Sequence, residues 1–292
     1  MEHFSPYVHE PLARRTTGKG KVAVYLGLAL LLAAAALVAV NSAGSSAPGV
    51  VPQALGCAVT FTNPGPPALT ACVSGHGNVN SLSYGPFTGA RDHILVNQRS
   101  PSEGYCLRDL GTSATYYDLA VVEGGQDDQL RPKGWGAATQ SSTATTTTVT
   151  RTTTDGIYTL TQNIFFKYGS RMVLIGNLLK NNDTVSHAVR FNRYADFNIG
   201  GSPTNDVFDT AGGSVFAQQT NGVALTSLGN PALVQAFGAL DFDAFVTRPF
   251  TCGPHLYSPP PTAAGDYVAV MQHSTTIAPG ATVNFRVGYR LL

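Results

Sequence analysis

The stretch TTTTVTRTTTDGIYTLTQNIFFK, from Thr145 to Lys167, decides the fold of this chain. Asp155-Gly156 is typical of the two-residue turn that joins antiparallel strands. The residues after this turn are rich in β-branched and aromatic side chains, which favour a strand. Its partner is then the threonine run before the turn, with Val149 facing Gln162. A glycosylated stalk is the alternative for these threonines, but such stalks carry proline, and residues 139–154 contain none.

Turn signals separate further strand-like segments. Tyr168-Gly169-Ser170 and Asn181-Asn182-Asp183 are turns, and the strands Met172–Leu179 and Val185–Ile199 follow them. These consecutive hairpins predict a meander of neighbouring antiparallel strands. Other strands are predicted near Ala58–Thr62, His93–Asn97, Tyr116–Val122, Val215–Gln219, Gly222–Ser227, Tyr267–Gln272 and Val283–Leu291.

Composition extends this assignment to the rest of the chain. After residue 43 the sequence holds only two glutamates and three lysines, which are residues that helix surfaces favour. The chain is therefore predicted to be all-β, an antiparallel β-sandwich, either simple or supersandwich-like, preceded by an N-terminal apolar helix. The same part carries 14 basic and 15 acidic residues, a balance that argues against nucleic acid as a partner.

An apolar segment near the start predicts export. Residues 22–40 carry no charge and are mostly apolar, and four basic residues precede them. Such a run can cross a hydrocarbon core of about 30 Å, with its basic flank in the cytoplasm. It is either a cleaved signal peptide or an uncleaved anchor that makes the membrane a partner. The domain is then secreted or periplasmic in the first case, and membrane-anchored on the outside in the second.

These features divide the chain into four parts. Residues 1–21 form a cytoplasmic basic leader, and residues 22–43 form the signal peptide or anchor. Residues 44–56, rich in glycine, serine and proline, form a linker, and residues 57–292 form the β-sandwich domain.

All four cysteines lie in the exported part. An even number in an oxidising compartment predicts two disulfides. Folding the chain about a turn at Pro64-Gly65 places Cys57 opposite Cys72, which leaves Cys106 to pair with Cys252. Four free, buried thiols are the alternative.

The strand Val185–Ile199 alternates between apolar and polar side chains, which point to opposite faces. An aromatic ring among amide, carboxylate and guanidinium groups suits a sugar, so the polar face is a candidate glycan-binding surface. An ordinary solvent-facing strand is the alternative. The polar row consists of Arg190, Asn192, Tyr194, Asp196 and Asn198.

Arg193 interrupts the apolar face of this strand and needs a partner, because an unpaired buried charge is very costly. The sequence offers Asp209, Asp241 and Asp243 as partners for a structural ion pair.

A calcium site is a further candidate. The segment after the polar row places oxygen-bearing side chains at alternate positions before Gly200-Gly201, which resembles half of a calcium loop. Turns capped by Asp and Asn side chains are the alternative. No other cofactor is predicted. The candidate ligands are Asp196, Asn198, Asp206 and Asp209.

No catalytic residue can be assigned. The sequence has no nucleophile elbow, no paired-histidine zinc motif and no phosphate-binding loop. A glycosidase needs two carboxyl groups that flank the bond, and nothing in the sequence singles out such a pair.

The segment Leu179-Lys180-Asn181-Asn182, followed by the strand Val189–Asn198, resembles secreted bacterial β-sandwich proteins. These share an Asn-bearing turn and an Arg-x-x-Asp-aromatic-Asp/Asn strand, and some carry a PEP-CTERM sorting tail, whereas residues 289–292 read as strand here. The resemblance implies an exported sandwich. The sequence thus predicts a non-catalytic module with a binding or structural role at the cell envelope or outside the cell. The alternative is a carbohydrate-active enzyme or its sugar-binding accessory domain.

Overall fold

The computed structural model describes residues 57–63, 69–84, 92–94, 101–121, 129–166, 169–197, 207–211, 214–218, 222–228, 233–238, 252 and 267–292. Within these ranges every regular secondary-structure element is a β-strand, and all strand pairs are antiparallel. The predicted all-β class is therefore confirmed.

The strands form three sheets. A small sheet has the order β1 (Val59–Asn63), β2 (Leu69–Val73), β3 (Val79–Tyr84) and β4 (Asp92–Ile94). An eight-stranded sheet has the order β13 (Val207–Ala211), β14 (Ser214–Gln218), β15 (Gly222–Ser227), β18 (Thr282–Leu291), β11 (Met172–Asn181), β10 (Tyr158–Phe166), β9 (Thr146–Thr152) and β8 (Thr139–Ser142). A six-stranded sheet has the order β16 (Leu233–Gly238), β17 (Tyr267–Ile277), β12 (His187–Asp196), β5 (Pro101–Asp109), β6 (Thr115–Val121) and β7 (Gln129–Lys133).

The two large sheets pack face to face as a β-sandwich. Their inner side chains form shared apolar clusters, in which Leu160 and Leu179 of one sheet join Val189 and Phe191 of the other. The ring of Phe191 stacks on that of Phe285 in the opposite sheet, with centroids 5.5 Å apart. Alternation along β10 buries one face in this core and leaves the other face outside.

The small sheet packs on the same core. Phe61 of β1 stacks on Phe166 of β10, with ring centroids 5.6 Å apart. Leu69, Leu82 and Val173 belong to the same buried cluster. The small sheet thus extends the sandwich core by burying its own apolar face.

The hairpin that decides the fold is confirmed. Val149 pairs with Gln162, and the backbone N–H of Thr153 donates to the carbonyl of Tyr158 at 2.8 Å. The predicted meander is wrong at its last step, because β11 pairs with β10 and β18, whereas β12 lies in the six-stranded sheet between β17 and β5. The chain crosses from one sheet to the other at Asn181-Asn182-Asp183.

Both predicted disulfides are confirmed, Cys57–Cys72 and Cys106–Cys252. The register that motivated the first one is wrong. Thr60, not Cys57, lies opposite Cys72. The centre of the β1–β2 hairpin therefore lies after Pro64-Gly65, not at it. Cys57 instead reaches Cys72 from just before the start of β1.

Several predicted segments lie outside the described residues, among them the basic leader, the apolar segment of residues 22–40 and the linker. In the part of the chain that the structure describes, no helix is long and apolar enough to cross a membrane.

Candidate functional site

The polar row of β12 does not form a surface. Asn192 is 0 % exposed and Tyr194 is 2 % exposed, and Asp196 is also buried. Arg190 is half-buried, and Asn198 lies outside the described residues. The expectation of an exposed face is therefore wrong, and the burial of these side chains removes the surface on which the predicted glycan site depended.

Cys252 contributes to this burial. Its disulfide with Cys106 of β5 holds it on the second face of the six-stranded sheet, where Cys252, Tyr194 and Val270 share one apolar cluster. Arg190 donates to the Cys252 carbonyl at 3.5 Å. The side-chain amide of Asn192 donates to the Tyr194 hydroxyl at 2.9 Å, and burial raises the pKa of that hydroxyl.

Arg193 forms the expected buried ion pair, but with a different partner. Its Nε lies 2.6 Å from Oε1 of Glu103 on the neighbouring β5. The side chains of the three proposed aspartates lie outside the described part of the chain. The Tyr289 hydroxyl donates to the same oxygen at 2.6 Å, and the Val79 amide donates to Oε2 at 2.9 Å. Since Glu103 is satisfied from three sheets, this group is structural.

The calcium prediction stays a prediction. Asn198 and Asp206 lie outside the described residues, and Asp209 falls in β13, where side chains are not described. Among the residues that are described, no group of three or more His, Cys, Asp or Glu side chains could hold a metal ion.

A groove of about 400 Å³ lies on the outer face of the eight-stranded sheet. Three neighbouring strands, β10, β11 and β18, form it together with the residue that follows β15. Its apolar side chains include Phe165, Leu174, Leu178 and Leu228, and its polar side chains are Asn163, Asn284 and Arg286. A concave, mostly apolar surface with a few polar groups is typical of a ligand site.

Gly176 keeps the middle of this groove open. It lies on β11 between Asn163 of β10 and Arg286 of β18. A Cβ atom added there would lie 3.9 Å from the Asn163 carbonyl and from Oδ1 of Asn284, which is ordinary contact. Oδ1 of Asn284 is shielded from solvent and accepts no hydrogen bond from any described residue.

Threonine hydroxyls continue the groove across the sheet. Thr148 donates to Oδ1 of Asn163 at 2.9 Å, and the hydroxyls of Thr150 and Thr161 lie 3.1 Å apart. When one hydroxyl of such a pair donates to the other, the second hydroxyl keeps its own hydrogen. The face beside the groove therefore offers hydroxyl donors and acceptors in register with the groove's amide groups.

The sequence does carry a signal for this groove. An antiparallel strand with one solvated face is expected to alternate apolar and polar residues. In β11, Val173, Ile175 and Leu179 enter the core, but Leu174 and Leu178 on the other face are apolar as well. The sequence predicts a strand over Met172–Leu179, and the second apolar face of that strand marks the groove.

A second polar cluster, which the sequence did not indicate, surrounds His187. Its Nδ1 lies 2.6 Å from Oδ2 of Asp109, and its Nε2 lies 3.0 Å from Oδ2 of Asp183. The Tyr158 hydroxyl donates to the same Asp109 oxygen at 2.7 Å. The cluster ties the start of β12 to the end of β5 and to β10.

A third cluster lies beside the small sheet. Arg151 of β9 forms a buried ion pair with Asp118 of β6 and donates to the Tyr105 hydroxyl at 3.2 Å. Nδ1 of His76, in the β2–β3 turn, lies 2.8 Å from Oδ2 of Asp118. These contacts join three sheets, and removing one partner of such a pair is strongly destabilising.

No protein-family model matches this chain, and no curated protein matches it. Among solved structures it is similar to a bacterial glucoamylase complexed with acarbose, with 10% identity over 76% of this chain and a TM-score of 0.49. The chain spans only 30% of that enzyme's length. It is also similar to a putative aldose 1-epimerase from Escherichia coli K12, with 12% identity, coverage of 80% and 99% of the two chains and a TM-score of 0.43.

A galactose mutarotase-like protein from Lactobacillus casei is 13% identical, with coverage of 80% of this chain and 100% of that one and a TM-score of 0.43. The similarity to these structures is one of backbone fold at low sequence identity.

Proposed function

We propose that the chain is an exported, disulfide-bonded β-sandwich module that binds carbohydrate in the groove on the outer face of its eight-stranded sheet. Its two disulfides support an oxidising location, since such bonds persist outside the cytosol. Residues 22–40 supply the export signal in this proposal, either cleaved or kept as an anchor.

The observation that carries the proposal is the chemistry of the groove. The apolar face of a pyranose ring packs on side chains such as Leu174 and Leu178, while its hydroxyls need amide and hydroxyl partners at the edges. Asn163 and Asn284 supply amides within the groove, and the threonine pairs supply hydroxyls beside it. A volume of about 400 Å³ lies in the range of small-ligand sites.

The same lining favours binding over hydrolysis. None of the described residues that line the groove carries a carboxyl or imidazole group. Glycoside hydrolysis uses a pair of carboxyl groups on either side of the bond. The buried acids Glu103, Asp109 and Asp118 are held in ion pairs within the sandwich.

A glycan array of neutral and acidic glycans, followed by calorimetry, tests the proposal. The wild-type protein is expected to bind, and Gly176→Val to weaken binding at least about tenfold, or about 1.4 kcal/mol, because the new side chain fills the groove. The fold should persist, since valine suits an outward strand position. Thr152→Val, on the same face outside the groove, is the matched control and should bind as the wild type does. An array that stays blank for the wild type contradicts the proposal.

A further inference from the structure

Charge is segregated along six of the strands in the eight-stranded sheet. The six adjacent strands β8, β9, β10, β11, β18 and β15 contain no aspartate or glutamate. They contain four basic residues, of which Arg151 is buried and paired with Asp118. The other three, Lys180, Arg286 and Arg290, are exposed. The outer face of these six strands is therefore cationic, although the whole chain has a formal net charge of only +1.

The three exposed cations form no ion pair with any described residue. In contrast, the interior arginines Arg151 and Arg193 each have a carboxylate partner. Arg286 lines the groove itself. Among the described residues, no carboxylate therefore neutralises the three cations on the face that holds the groove.

The cations follow the direction of β11 and β18. Lys180 pairs with Thr282, and Arg286 and Arg290 follow on β18 at intervals of four residues. Four residues of an antiparallel strand span about 14 Å, so the three charges extend over about 27 Å. A single sugar ring in the groove cannot reach all three, whereas a chain of several units can.

We infer that the ligand of this groove is an acidic polysaccharide, carboxylated or sulfated, which lies along β11 and β18. This inference rests on the proposed function and names its substrate class. The groove accepts sugar rings against Leu174 and Leu178, and the anionic substituents lie near Lys180, Arg286 and Arg290. Carboxylate and sulfate groups can each present two oxygen atoms to the planar guanidinium of arginine.

The recessed groove favours a polysaccharide over a flat anionic surface. The groove is concave, and a bilayer surface would meet the exposed cations without filling the groove. A chain of sugar rings that lies along the groove contacts both its apolar lining and the cations. Anionic vesicles and duplex DNA therefore serve as competing ligands in the test.

The test compares binding to dextran sulfate, polygalacturonate and neutral dextran by the full-length protein. We expect both anionic polymers to bind more tightly than dextran, with binding that weakens as salt rises, because salt screens exposed charges. Arg286→Gln should weaken binding about fivefold, and the triple change of Lys180, Arg286 and Arg290 to glutamine about a hundredfold. Lys133→Gln removes an exposed charge from the other large sheet and should change little.

Three outcomes would overturn the inference. If the triple variant binds like the wild type while Gly176→Val still abolishes glycan binding, the acidic class is wrong and the proposed function stands. If Gly176→Val binds the anionic polymers as tightly as the wild type does, these polymers bind outside the groove and the inference is wrong. If phosphatidylserine vesicles or duplex DNA bind with the same dependence on Arg286 and Gly176, the polysaccharide class is wrong.

Discussion

At the residue scale, His187 carries a carboxylate on each ring nitrogen. Burial alone would lower its pKa, but hydrogen bonds to Asp183 and Asp109 and the charges of both outweigh burial, so the pKa of His187 is raised above its usual range. Burial would raise the pKa of Asp109. Hydrogen bonds from the Thr112 amide, the Tyr158 hydroxyl and the Gly111 amide outweigh that effect, so the pKa of Asp109 is lowered.

These shifts predict a window of pH in which the cluster stabilises the fold. The contribution of His187 is fully present below its unfolded pKa of about 6.5 and is lost as pH rises through the raised folded pKa. The contribution of Asp109 is present above its unfolded pKa of about 3.9 and is lost as pH falls. The cluster should therefore stabilise most between about pH 4 and 6.5.

The measurement is the free energy of unfolding of the wild type minus that of His187→Asn, from urea titrations at several pH values. The difference should be largest in mildly acidic buffer and shrink above about pH 7. Taking the difference removes the opposite slope of His273, whose pKa burial lowers to about 4. A difference that is constant with pH would show that the imidazolium does not stabilise the fold.

The polar row of β12 shows what alternation can and cannot predict about single residues. Alternation correctly placed Phe191 and Ala195 in the core. It could not show that Cys252, which is distant in sequence, packs with Tyr194 on the other face. Nor could it choose Glu103 as the partner of Arg193, because that choice depends on which strand lies beside β12.

At the scale of elements, the crossover between β11 and β12 depends on Asn181. Its side-chain N–H groups donate to the carbonyls of Val185, at 2.7 Å, and Ile277, at 3.0 Å. Its Oδ1 accepts from the Asp183 amide at 2.9 Å. The side chain thus bonds backbone groups of the crossover and of the end of β17.

Asn181→Ala should therefore lower the free energy of unfolding by about 1–3 kcal/mol, the cost of leaving buried polar groups unsatisfied. The neighbouring Asn182→Ala is the control, because its amide bonds the Gly156 carbonyl and Thr159 at the surface. That variant should stay within about 0.5 kcal/mol of the wild type. Equal losses for the two variants in denaturant titrations would contradict this role of Asn181.

Local patterns predicted some strands and missed others for identifiable reasons. The β9–β10 hairpin has a turn dipeptide and alternating residues, so its register could be read directly. Strand β5 was missed because Glu103 and Arg108 and a glycine interrupt its pattern. Gly104 is needed there, since a Cβ would lie 2.4 Å from the Asp118 carbonyl. Such close approach depends on tertiary neighbours and leaves no local signal.

At the scale of the whole molecule, the two disulfides constrain very different lengths of chain. Cys57–Cys72 spans 15 residues, and Cys106–Cys252 spans 146. In the chain-entropy model these loops correspond to about 3 and about 5 kcal/mol of stabilisation. The longer link also holds Cys252 in the apolar cluster that contains Tyr194.

Replacing Cys106 and Cys252 with alanine should therefore destabilise the protein more than replacing Cys57 and Cys72, by about 2 kcal/mol. Denaturant unfolding of the two double variants measures this difference. Tyr194 should become more exposed to solvent only in the variant that lacks Cys106 and Cys252. Chemical modification of tyrosine detects that exposure. The reverse order of stabilities would contradict the account of the longer disulfide.

The fold class and the presence of two disulfides could be predicted from the sequence, because composition and cysteine count act over the whole chain. The Cys57–Cys72 pairing was correct although the register behind it was wrong. The sequence marks only the second apolar face of β11, and the groove itself could not be predicted, since it joins the β10–β11 hairpin to β18, which is distant in sequence. The central claim is that this groove binds carbohydrate. A crystal structure of the protein with its best-binding glycan tests it most directly. We predict sugar rings against Leu174 and Leu178, in the groove that Asn163 and Asn284 line. A glycan bound only elsewhere, with the groove empty, would contradict the claim.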